Sequence, residues 1–147
     1  MIKRYYIRFI RHLIVKGDGY LMISIEEMEE MLDEIAAGIP QEIYRELNGG
    51  IILLPDAKLN TKSRKNDLYI LGEYHKGGNM GRYISIYYGS FLHVYGHFGK
   101  EALKEQLKNT LKHEFTHHIE SLAGERGLEI KDAQYMADYL NRRDKQR

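Results

Sequence analysis

The sequence predicts an α+β domain: a small mixed sheet, a long late helix, and a C-terminal helix packed back on it. Three observations lead there. Apolar residues recur at helical spacing after Met22, again from about Gly99, and a third time from about Ile130. Between the first and second of these stretches lie three short runs of β-type residues, "IILLP", "LYILGEY" and "YISIYYGSF". Gly-rich or polar connections separate the runs, so the strands cluster in the middle of the chain rather than alternating with helices.

The chain has 147 residues, enough for one hydrophobic core, with 43% hydrophobic and 29% charged residues and a net charge of +1. That balance argues neither for nor against a charged partner; neither nucleic acid nor a membrane is expected as a partner. With no cysteine present, disulfides and thiolate metal sites are excluded. No apolar run approaches the roughly 18–20 residues of a membrane span. The N-terminal "MIKRYYIRFIRHLIVKGDGYL" is basic and partly apolar, but Arg8, Arg11 and His12 interrupt it and no small-residue cleavage site follows. A cytoplasmic protein is expected, with residues 1–21 a basic N-terminal extension and 22–147 the folded domain.

Each element has its own signal. Ser24 with Glu27 three residues on forms a capping box, Met28, Met31, Leu32 and Ile35 follow at helical spacing, and Gly38 with Pro40 ends the run. A short helix is expected over 41–47, stopped by Gly49-Gly50. Strands are expected at 51–55, 68–74 and 83–91, the first two joined by the polar loop "NTKSRKND", the last two by the glycine-rich turn "KGGNMG". Leu103, Leu107 and Leu111 begin the apolar stripe of a helix over about 99–122. Ala133, Met136, Ala137 and Leu140 line one side of a final helix over about 130–140.

The long helix carries "HEFTHH", residues 113–118. His113 and His117 stand one turn apart on one face, where two neutral imidazoles can bind one tetrahedral cation. Glu114 projects beside the pair, placed to touch a water on that cation rather than the cation itself. Chance produces this His-Glu-x-x-His pattern in roughly 3% of shuffled chains of this composition. Phe115, Ile119 and Leu122 form a second apolar stripe pointing nearly opposite, which leaves the His face for a cleft. His118 points away from the pair and reads as a packing or supporting residue. His93 and His97 are also four apart, but are expected at a strand end and loop, where that spacing does not align side chains.

The stretch from "YISIYYGSF" through "LKNTLKHEFTHHIESLAGERGLEIKD" resembles the minimal zincin-like proteins, predicted bacterial zinc-dependent metallopeptidases with a matrix-metalloprotease-like core. The likeness covers most of residues 22–140. It implies a compact α+β zincin fold, a single zinc ion and peptide-bond hydrolysis. Where shorter members place Gly three residues after the second His this chain has Glu120, so the family's acidic ligand is to be sought near "GLEIKD".

Without cysteine, a third zinc ligand must be His, Asp or Glu. Asp132, near the start of the last helix and within about 40° of Met136, is expected to face inward and to be that ligand. Glu129, Glu120, Glu125 and an external ligand are the alternatives, and capping of the last helix is the other role open to Asp132. The resulting expectation is a zinc metallopeptidase acting on a peptide or protein, with Glu114 as general base, His113, His117 and Asp132 on zinc, and Tyr135 steadying the oxyanion. An extended substrate is expected to add to the 83–88 strand. The competing reading is a zinc-containing module that binds or regulates without turnover, and Glu114 separates the two because a pure binder has no use for that carboxylate. A nucleic-acid regulator using the basic 1–21 and 58–65 stretches has no accompanying motif.

Overall fold

A capping box opens the described chain. The structure, a computed structural model, describes residues 23–61 and 68–142. The basic 1–21 segment and most of the "NTKSRKND" loop lie outside the described residues. Ser24 Oγ accepts the Glu27 N–H at 3.1 Å, and the Glu27 carboxylate reaches back to the Ser24 N–H, starting helix α1 (Ile25–Gly38). The short helix expected over 41–47 is a single 3-10 turn, Gln41–Tyr44.

The protein is α+β. Strands β1 (Gly50–Leu54), β4 (Gly72–His75) and β5 (Tyr83–Tyr87) form one sheet in the order β1-β5-β4, with β1 parallel and β4 antiparallel to β5. Strands β2 (Lys58–Leu59) and β3 (Tyr69–Ile70) pair separately. The expected strand over 68–74 is thus two short strands, β3 and β4, which break at Leu71 and serve different sheets.

The expected strand over 83–91 is corrected in its second half. After Tyr87 the chain turns into helix α2 (Tyr88–Tyr95), and His93 lies on that helix, stacked on Tyr69. On that helix Phe91 enters the hydrophobic core, and the buried Ser90 Oγ accepts the Lys58 N–H at 2.8 Å. Gly89 permits the turn. Its N–H reaches the Pro55 and Asp56 carbonyls, and a Cβ there would stand 2.7 Å from Ala57 N.

Helix α3 (Lys100–Glu125) crosses one face of the sheet, and α4 (Ile130–Asn141) packs back along α3. Along α3, Leu103, Leu107, Leu111, Phe115, Ile119 and Leu122 are buried, packed with Met28 and Leu32 of α1 and with Ile51, Leu53, Ile84 and Ile86 of the sheet. In the β4–β5 register Gly72 faces Ile86 and Tyr74 faces Ile84, which puts Tyr74 on the α3 side. Glu73 and His75 take the other face with Ser85 and Tyr83. There Lys58 and the Tyr87 hydroxyl both hydrogen-bond to Glu73, and His75 Nε2 lies 2.8 Å from Ser85 Oγ. Among the described residues, no helix is long and apolar enough to cross a membrane.

Candidate metal centre

On α3 the 3.6-residue period sends Phe115, Ile119 and Leu122 into the core and leaves His113 and His117 exposed beside the sheet. Their rings meet edge to face, 4.7 Å between centroids, and their Nε2 atoms are 3.2 Å apart. An N–H···N hydrogen bond spans that distance, and so does a shared cation. With metal–nitrogen bonds of about 2.0–2.1 Å, donors so separated subtend roughly 100° at the ion, near the tetrahedral angle. The Glu114 carboxylate completes the group: one ligand-type atom from each of the three residues lies within 4.8 Å of the others. The two imidazoles suit zinc by donor chemistry and by their 3.2 Å spacing.

Unlike the two histidines, Glu114 is buried, with 6% of its surface exposed. Burial raises its pKa, while His113, His117 and a hydrogen bond from the Tyr74 backbone N–H pull the other way, and the net shift is upward. The carboxylate is therefore held between α3 and the edge of β4. Gly72 lets the strand come this near: a Cβ there would meet Ile86 Cδ1 and Thr110 Cγ2 at 3.1 Å.

His118 supports this arrangement from behind. Completely buried, it places Nε2 2.7 Å from the Arg45 carbonyl and Nδ1 2.9 Å from the Tyr74 hydroxyl. A carbonyl only accepts, so Nε2 carries the proton and Nδ1 accepts from Tyr74. Burial lowers the His118 pKa, in keeping with a neutral ring. His118 thereby fixes β4 against α3 one residue beyond His117.

Two adjoining cavities, about 640 and 360 Å³, flank the centre and share Gly72 and Glu114. Together they form a groove between β4 and α3 running from Asn109 to Glu125, seventeen residues spanning about 24 Å of helix. Since β5 is bracketed by β1 and β4, the 83–88 strand has no free edge for a substrate. The edge beside the centre is β4, the second half of the expected 68–74 strand, and no residue pattern in that run marks it as an edge.

Asp132 is not brought into the group. It is exposed in the first turn of α4, where a carboxylate suits the positive end of the helix dipole. The buried stripe of α4 runs through Ala133, Met136 and Leu140 and is centred about 70° from Asp132, so nearness to Met136 alone does not turn it inward. Glu129, at the N-cap of α4, is exposed too. Among the described residues no fourth metal-type side chain joins His113, Glu114 and His117. Tyr135, expected at the oxyanion, is 66% exposed on α4 and lines neither cavity.

No protein-family model matches the chain, and no curated protein matches it significantly. Among solved structures, a conserved hypothetical protein from Thermo thermophilus is similar, with 32% sequence identity and a TM-score of 0.61 over 69% of this chain and 98% of that one. Identity at that level over nearly the whole of the other protein shows common descent, and the chain belongs to the same family as that conserved hypothetical protein.

Proposed function

We propose that the protein is a zinc-dependent peptidase. One observation carries the reading: two Nε2 atoms 3.2 Å apart on one helical face, with a buried carboxylate beside them at the middle of a groove. A bound zinc ion supplies a Lewis acid that polarises a carbonyl and acidifies water.

The chain's own residues do the rest. His113 and His117 would hold the ion through their Nε2 atoms. Glu114 accepts the proton of the attacking water as its oxygen bonds to the scissile carbonyl carbon. The same carboxyl then delivers that proton to the leaving amine nitrogen as the C–N bond breaks. The edge of β4 offers backbone groups along the groove, so an extended peptide can lie there as an added strand. At about 3.3 Å per residue, 24 Å of groove accommodates about seven residues.

The test is elemental analysis of the purified chain together with cleavage of a peptide library. One zinc per chain is expected, lost in His113→Ala and His117→Ala, with peptides cut only by the zinc-loaded protein. Unchanged zinc in either variant, or no cleavage from a fully loaded chain, would overturn the proposal.

A further inference from the structure

The two ring nitrogens of His117 face different partners. Nε2 points to His113, while Nδ1 lies 3.5 Å from Oε2 of Glu120, three residues further along α3. Glu120 lines the larger cavity, yet it stands outside the converging group, on the far side of the His117 ring from the shared point. Its position matters because an imidazole has one proton to place. With the proton on Nε2, the nitrogen facing His113 cannot ligate. With the proton on Nδ1, Nε2 presents its lone pair.

From this geometry we propose that Glu120 is a positioning residue that selects the Nδ1–H tautomer of His117, and so prepares Nε2 for a divalent cation. The inference rests on the metal reading above and assigns Glu120 a place behind a ligand. The carboxylate attracts the Nδ1 proton, and its hold strengthens once coordination draws electron density from the ring. At 69% exposure the Glu120 side chain adds little to folding, so a change in zinc affinity in its variants would not reflect unfolding.

Chelator competition with zinc alone, on the full chain, tests it. Glu120→Ala is expected to weaken zinc binding about 10–100-fold. Glu120→Gln, which keeps an acceptor without the charge, should lie between that variant and wild type, and Asp132→Ala should bind as wild type does. A second readout is the ¹⁵N spectrum of the His117 ring in zinc-free protein, where Glu120→Ala should move population from Nδ1–H to Nε2–H. Wild-type zinc affinity in Glu120→Ala, or an unchanged tautomer ratio, overturns the role of Glu120 and leaves the metal reading standing. A wild-type chain that binds no zinc overturns both.

Discussion

His118 Nδ1 accepts a hydrogen bond from the Tyr74 hydroxyl at 2.9 Å, tying the helix of the His-Glu-x-x-His motif to the edge strand beside it. The two residues are 44 positions apart in sequence, and neither carries a motif that announces the contact. Through this bond and the Tyr74 N–H, one residue of β4 meets α3 at both His118 and Glu114.

Replacing His118 by Ala strands the Arg45 carbonyl and the Tyr74 hydroxyl and leaves a cavity. A loss of about 2–4 kcal/mol is expected, as for a large-to-small change with unsatisfied polar groups. His118→Gln, able to donate and accept, should lose less. Urea unfolding of the three proteins measures this, and equal midpoints would show that the buried contacts contribute nothing.

On the proposed peptidase reading, Glu114→Gln preserves shape and removes the base. Zinc content should stay at the wild-type level, while peptide hydrolysis falls about 100-fold or more. Parallel metal analysis and single-peptide kinetics decide the matter, and a variant that loses its zinc would place Glu114 among the ligands instead.

Acid should destabilise the fold in two steps. Burial alone raises the Glu73 pKa, but the hydrogen bonds from Lys58 and Tyr87 together outweigh it and hold it below its ordinary 4.5. The unfolded chain therefore binds this proton more readily, so stability is fully present above about pH 4.5 and falls as pH drops through the folded value. Burial lowers the pKa values of His75 and His118 below their ordinary 6.5, so the same sign applies to both and their contribution begins to be lost below about pH 6.5. Lys58→Met should remove the lower step and leave the upper one. Unfolding free energies at pH 7, 5.5, 4 and 3 give the comparison, and a flat profile in the wild type would contradict both assignments.

Gly89→Ala puts a methyl group 2.7 Å from Ala57 N and 2.9 Å from the Pro55 carbonyl, both backbone atoms with little freedom to yield. A loss of about 1–3 kcal/mol is expected, typical of overpacking. Thermal melting of this variant beside Gly38→Ala, where a Cβ meets nothing within 4 Å, separates crowding from the ordinary effect of replacing glycine.

Relations confined to one element were legible in the sequence. Ser24 and Glu27, the Leu103–Leu111 and Phe115–Leu122 stripes, and the pairing of His113 with His117 all follow from helical periodicity, which fixes neighbours three and four residues apart whatever the rest of the chain does. Tertiary structure decided the relations between elements. It turned 88–91 into helix because Gly89 packs on the 55–57 backbone, made β4 rather than β5 the free edge, and sent His118 to Tyr74 and Arg45. It also left Asp132 outside the centre, because α4 packs its Ala133–Met136–Leu140 stripe on α3 and Asp132 lies about 70° from the middle of that stripe.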